Sequence, residues 1–269
     1  MGRLLITDPA DPRIVSYRSV HEPELARAGG LFVAEGRLVV QRAIEAGHGV
    51  RSVLVNEAAA AAMASTLDLL EAPVYVCDAA TIEHVSGHHI HRGCVALVER
   101  PAPRTPAAVA GAARTIVALE DVTNADNIGG VFRNAAAFGA AVLLSPRCCD
   151  PLYRKAIRTS MGAVLSVPWA TVEDWPAGLF ALRDHGFTVV ALSPRQPSAA
   201  IDDFHRETLR GPLVLVAGTE GAGLSLALQD GADYRVRIPI SSAVDSLNLA
   251  VAVGIGLARL IEESKDLKI

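Results

Sequence analysis

The chain has 269 residues, 51% of them hydrophobic and 20% charged, with 25 Lys/Arg against 29 Asp/Glu for a formal net charge of −4. Half the residues can build cores, which excludes a disordered chain, and the acidic balance excludes a protein that coats nucleic acid through bulk positive charge. At roughly 100–200 residues per domain the length fits two domains or one large one, and the absence of any run of ~18 uncharged apolar residues predicts no membrane span.

Up to about residue 100 the chain predicts a β-α-β alternation. Met1 to Pro12 is polar and acidic where a signal peptide has a basic start and an apolar stretch. Leu31-Phe32-Val33 reads as a strand, followed by Glu35-Gly36 and a helix over Arg37–Ala46. Val50–Val55 is the next strand and Glu57–Leu70 the next helix. Val74–Cys77 and Cys94–Val98 are further strands, and the set predicts a small α/β sandwich. Pro101-Ala102-Pro103-Arg104-Thr105-Pro106 then places three prolines in six residues. Proline removes amide donors and disfavours helix in the residue before it, so 101–113 reads as a linker between a domain over 1–100 and a second over 114–269. There the alternation restarts, with strands at Thr115–Leu119, Ala141–Leu144, Thr188–Leu192, Leu213–Ala217 and Tyr234–Ile238, and a last helix from Ser246 to Glu263. Leu213-Val214-Leu215-Val216 is apolar at successive positions, which suits a parallel sheet covered on both faces. Cys77, Cys94, Cys148 and Cys149 show no Cys-x-x-Cys spacing, which points to free thiols in a reducing, cytoplasmic compartment.

Glycine and polar residues concentrate just after the strands of the second domain, at the edge where open α/β sheets bind ligands. Three segments stand out: Asn124 to Gly139, Val214 to Ser225, and Ile238 to Ala250. Gly218, Gly221 and Gly223 follow a strand, but their spacing is not the dinucleotide Gly-x-Gly-x-x-Gly, which disfavours a nucleotide-dependent oxidoreductase. No Gly-x-x-x-x-Gly-Lys-Ser/Thr loop occurs either. Taken alone, each piece has an ordinary reading. The glycines suit a tight turn, Asn127 suits a helix cap, and Arg133 suits a solvated helix face. Asp245 or Ser246 can cap the last helix, leaving Asn248 in its first turn. Jointly, three such loops after strands of one sheet point to a ligand site.

The three segments, in this order, resemble the signature motifs of the SpoU (TrmH) family of RNA ribose methyltransferases within the SPOUT superfamily. The first carries Asn127, Gly129, Arg133, Ala135, Phe138 and Gly139; the second Gly218, Glu220, Gly221, Gly223, Leu224 and Ser225; the third Ile238, Pro239, Ser246, Leu247 and Asn248. Arg158-Thr159-Ser160-Met161-Gly162-Ala163 resembles the family's Ser-x-Gly-Ala stretch. Phe32-Val33-Ala34-Glu35-Gly36 and His91-Arg92-Gly93-Cys94-Val95-Ala96 resemble its ribosomal-protein-like substrate domain. Thr219, where relatives carry Asn or Ala, and Ala250, where Ser is common, depart from the pattern.

The resemblance implies a trefoil-knotted catalytic domain with a mostly parallel sheet, a homodimer with sites near its interface, and S-adenosylmethionine held by Gly218, Ile238 and Leu247. It implies methylation of a ribose 2′-hydroxyl in RNA, ribosomal RNA ahead of transfer RNA because of the extra domain. A ribosome-modifying resistance enzyme and a non-catalytic RNA-binding factor are the alternatives. Asn127, Arg133, Glu220, Ser246 and Asn248 are the implied catalytic set. A guanidinium stays protonated at neutral pH, so Arg133 suits clamping a phosphate and orienting the hydroxyl, with Glu220 or water taking the proton. Arg147, Arg154, Lys155 and Arg158 follow a strand on the ligand side and are expected to contact RNA phosphates. His84, His88, His89 and His91 match no metal-ligand spacing, so no metal is expected and the stretch reads as a surface loop near RNA.

Overall fold

Runs rich in Val, Ile and Leu, bounded by Gly, Pro, Asn and Asp, set the strands. The computed structural model describes residues 3–17, 25–26, 30–86, 93–204 and 211–261. The chain divides into two units: Met1–Ala102 with Leu152–Leu165, and Pro103–Pro151 with Ser166–Ile269.

The first unit holds β1 (Arg3–Leu5), β2 (Leu31–Glu35), β3 (Val50–Asn56), β4 (Val74–Cys77) and β5 (Cys94–Glu99), in the order β1-β4-β3-β5-β2 among the described residues. β1, β4 and β3 are parallel, and β5 is antiparallel to β3 and β2. β1 was not expected: all three of its residues are exposed, so no apolar alternation marks it and only its pairing with β4 makes it a strand. The helices are α1 (Arg37–Glu45), α2 (Glu57–Ala62), α3 (Ala64–Leu67) and α4 (Ala79–Ser86). Asn56 caps α2, its Oδ1 accepting from Ala59 N at 2.8 Å. The single helix expected over 57–70 is broken at Met63, which departs from helical geometry and buries its side chain. Ile6, Ile14, Tyr17, Leu54, Ile82 and Val95 lie in one buried cluster. Tyr17 Oη and Ser52 Oγ, 2.6 Å apart, satisfy each other within the buried interior.

Residues 152–165, expected inside the second domain, belong to the first unit. Their short helix Arg154–Thr159 packs on β2. Arg42 donates to Met161 O, His48 Nε2 lies 2.9 Å from Leu165 O, and Arg154 Nε lies 3.6 Å from Glu35 Oε2. Ala156, Ile157, Val164 and Leu165 are buried, which holds the excursion in place.

The second unit holds β6 (Thr115–Glu120), β7 (Ala141–Leu144), β8 (Trp169–Thr171), β9 (Thr188–Leu192), β10 (Ala199–Ala200), β11 (Leu213–Gly218) and β12 (Tyr234–Arg237). Their order is β10-β12-β9-β11-β6-β7-β8, and every pairing is parallel. The expected α/β architecture with a mostly parallel sheet is therefore present. β8 and β10 escaped the sequence reading because edge strands of three and two residues are too short to show a period.

The helices of this unit are α5 (Pro106–Ala112), α6 (Ala125–Ala137), α7 (Ala177–Phe180), α8 (Leu226–Gly231) and α9 (Leu249–Leu260). α5 corrects the expected linker over 101–113. Thr105 caps it with Pro106 in the first turn, where a missing amide costs nothing, and Val109 is wholly buried in the core. Val109, Leu179 and Leu228 cluster with Ile116, Ala118, Val214 and Val216 of the sheet. α9 lies against Leu215, and α6 packs on α9 so closely that a Cβ on Gly130 would stand 2.6 Å from Ala250 Cβ. Because all the strands run parallel, the loops that leave their carboxyl ends share one edge. Among the described residues no helix is long and apolar enough to cross a membrane.

Candidate active site

β6 ends at Glu120, and Asp121 follows it. Asp121 takes a left-handed conformation with φ 56°, a shape L residues seldom adopt outside sites where surrounding contacts enforce it. Here Ser145 Oγ donates to Asp121 Oδ1 at 2.9 Å, and Arg147 pairs with the same carboxylate. The guanidinium, with the serine, holds the Asp121 carboxyl below its ordinary range. Asn124 then caps α6, its Oδ1 accepting from Asp126 N at 2.9 Å. Asn127 is therefore not the cap but lies inside the first turn, 4% exposed.

The glycine loop between β11 and α8 folds back on itself. Gly223 N donates to Thr219 O at 2.9 Å, and Gly221 and Gly223 have φ of 85° and 68°. A Cβ on Gly218 would stand 2.3 Å from Gly223 backbone atoms, so glycine is required there.

The loop between β12 and α9 ends at Asn248, which caps α9 by accepting from Ala250 N at 3.0 Å and Val251 N at 3.3 Å. This corrects the expectation that Asp245 or Ser246 caps a helix beginning at Ser246. The asparagine oxygen satisfies the first orphan amides, and α9 starts at Leu249.

These loops meet. Asn248 Nδ2 donates to Asn127 Oδ1 at 2.8 Å and to Glu220 Oε1 at 3.1 Å, and Leu249 N donates to Glu220 Oε1 at 3.4 Å. One asparagine thus joins all three motif segments while capping a helix. Ile238 and Leu247 are half-buried in the third loop, and Ser246 is exposed. Arg133 is exposed on α6, and its side chain makes no hydrogen bond or ion pair with any described residue. Residues six apart on a helix point roughly 120° apart, which explains why Arg133 does not join buried Asn127.

The expected RNA contacts divide. Arg147 is engaged by Asp121 at the edge of the second unit, though its side chain remains 80% exposed. Arg154, facing Glu35, is partly buried in the first unit, where Lys155 and Arg158 are exposed. His84 is exposed at the end of α4, while His88, His89 and His91 lie outside the described residues.

Sequence reasoning missed Glu120. It is 5% exposed and accepts from Ser225 N at 2.7 Å, Ser225 Oγ at 2.8 Å and Trp175 Nε1 at 2.8 Å. An acidic residue closing the apolar run Ile116–Leu119 was the available signal; its partners, 55 and 105 residues away, left no local trace.

Polar, glycine-bearing loops joined beyond the carboxyl ends of a parallel sheet lie where open α/β proteins as a class bind their ligands. A family model described as the SpoU rRNA methylase family matches residues 114–258. A Mycobacterium bovis protein named an uncharacterized tRNA/rRNA methyltransferase is 37% identical over 256 residues, covering 93% of this chain and 88% of its own. Among solved structures, an AdoMet-bound rRNA methyltransferase from Sinorhizobium meliloti is similar with a TM-score of 0.79 and 26% identity, over 95% of this chain and 96% of that one. An RNA 2′-O ribose methyltransferase is similar with a TM-score of 0.76 and 25% identity, over 96% and 98%. The chain belongs to the SpoU methylase family of RNA methyltransferases.

Proposed function

We propose that this protein methylates a ribose 2′-hydroxyl in RNA, ribosomal RNA by preference, with S-adenosylmethionine as donor. The observation that carries this reading is the junction of Asn127, Glu220 and Asn248, drawn from three loops at the carboxyl edge of one parallel sheet. The residues present fit such a donor. Gly218, Gly221 and Gly223 offer bare backbone, and half-buried Ile238 and Leu247 offer apolar contacts for a flat ring. Bound there, S-adenosylmethionine supplies an activated methyl on a sulfonium.

The protein's part is to place and deprotonate the hydroxyl. In-line displacement demands close alignment of the oxygen, so positioning contributes much of the acceleration. Arg133 clamps the neighbouring phosphate and favours the developing alkoxide. Glu220, exposed and with Oε1 ordered by Asn248 and Leu249, takes the proton. Ser246 and Asn248 orient the ribose, and Asn127 holds Asn248 in place. The role of Arg133 is completed in a homodimer whose sites lie near the interface, with the small-residue surface of α6 (Ala136, Ala137) and exposed Val251 of α9 meeting a second copy. A trefoil knot in the second unit, RNA contact through Arg147, Lys155 and Arg158, and a cytoplasmic location complete the reading.

The test is transfer of tritiated methyl from S-adenosylmethionine to unmodified ribosomal and transfer RNA, with the product nucleotide mapped. Arg133→Ala is expected to lose at least ~100-fold in rate while retaining donor binding, the scale of removing one electrostatic contact to developing charge. Full methyl transfer by that variant, or a label found on a base, would sink the proposal.

A further inference from the structure

Two buried polar side chains of the second unit take no part in that chemistry. Glu120 accepts three hydrogen bonds, two of them from Ser225. Gln229, also buried, donates through Nε2 to Leu224 O at 2.7 Å and accepts from Ser193 Oγ at 3.1 Å. Burying a carboxylate or an amide is costly unless its polar atoms are satisfied, and here the satisfying groups fall on adjacent residues. Leu224 and Ser225 are where the glycine loop ends and α8 begins, Ser225 being the helix cap. The other end of the loop is held by the sheet, where Gly218 stands opposite Glu120 in the register of β11 on β6.

Between those ends the loop is closed on itself by the Gly223 N–Thr219 O bond but carries few side chains to stiffen it. Gly221 and Gly223 are left-handed, and a Cβ at either would meet nothing within 4 Å. Glycine loses more freedom on ordering than any other residue, so contacts from outside add to that one internal bond in fixing the loop's shape. Glu120 and Gln229 bond the end of the loop and are themselves held from elsewhere in the sequence, Glu120 by Trp175 beyond β8 and Gln229 by Ser193 just past β9.

We propose that Glu120 and Gln229 form a two-point clamp that presets loop 218–225 for the methyl donor, acting as positioning residues rather than contacts. The inference rests on the proposed use of S-adenosylmethionine at this loop. A preset loop costs the donor no ordering entropy, and Glu220 on the same loop is held separately by Asn248 and Leu249, so the clamp governs donor affinity rather than the chemical step. Glu120→Gln keeps the shape but turns an acceptor oxygen into an NH2 facing donors, leaving one of them without a partner.

Calorimetry with S-adenosylmethionine on Glu120→Gln and Gln229→Leu is expected to show roughly ten-fold weaker binding, about 1.4 kcal/mol. KM for the donor rises to match, kcat at saturating donor stays within about twofold, and RNA affinity is unchanged. Hydrogen exchange of the Gly221–Gly223 amides, measured without donor, speeds up in both variants. Should Glu120→Gln lose its cooperative melt, Ser225→Ala removes the hydroxyl donor to Glu120 together with the α8 cap acceptor, leaves the carboxylate and the Ser225 amide in place and, with Gln229→Leu, is read on the same assays. Folded variants with wild-type donor affinity and wild-type loop exchange overturn the clamp, as does a fall in kcat at unchanged donor affinity. Wild-type protein that binds RNA but no S-adenosylmethionine overturns the underlying reading itself, a result distinct from failure of the clamp alone.

Discussion

Asp121 and the thiols show how burial and charge set individual groups. Asp121 is held in a left-handed conformation by Ser145 and Arg147, and its carboxyl is depressed below the ordinary range. A depressed carboxyl stabilises the fold fully above the unfolded value of ~3.9, and the contribution is lost as pH falls through the folded value. Asp121→Asn is therefore expected to lower the unfolding free energy read from urea denaturation at neutral pH by up to ~1 kcal/mol, modest because Arg147 is exposed. The gap to wild type narrows as the solution is acidified below pH ~4. Cys77 and Cys94 are pushed up by burial, to about 11 and about 12. Neither forms much thiolate at neutral pH, so both are expected to resist alkylation in the folded protein and to label in urea.

Helix ends and helix contacts decide where the site residues lie. The expected cap of the last helix is Asp245 or Ser246, with Asn248 in its first turn, but it is Asn248 that bonds the first amides of α9 while reaching Asn127 and Glu220. Asn248→Ala is expected to cost about 1 kcal/mol in stability from the lost cap, whereas Ser246→Ala stays within ~0.5 kcal/mol in chemical denaturation. The α6–α9 contact is equally specific. Gly130→Ala would place a methyl 2.6 Å from Ala250 Cβ, so one helix must move. A loss of about 1–3 kcal/mol, read as a lower Tm, is expected.

Across the whole chain, charge is distributed unevenly. Residues 1–100 hold nine Lys/Arg and twelve Asp/Glu, a net of −3, while residues 127–160 hold five and one, a net of +4. The fold divides that basic stretch. Arg154, Lys155 and Arg158 join the first unit, which then carries twelve of each sign, whereas Arg133 and Arg147 stay with the second. Recognition of RNA through a few local cations predicts a shallow dependence of affinity on salt. Lys155→Ala is expected to reduce the slope of log K against log salt by about 1 in filter binding, without changing which RNA is chosen.

Most long strands and the three motif loops were legible because each is written in contiguous residues: an apolar run or a glycine spacing. Contiguity also carried the family resemblance, since its motifs lie within single loops. What tertiary structure alone decided was which groups meet. Asn127 and Asn248 lie 121 residues apart, Glu120 and Ser225 lie 105 apart, and residues 152–165 leave the second unit's sequence to pack with the first. Such pairings are selected by burial and hydrogen-bond satisfaction in the folded chain, which act on distance in space. Local sequence carries no record of them.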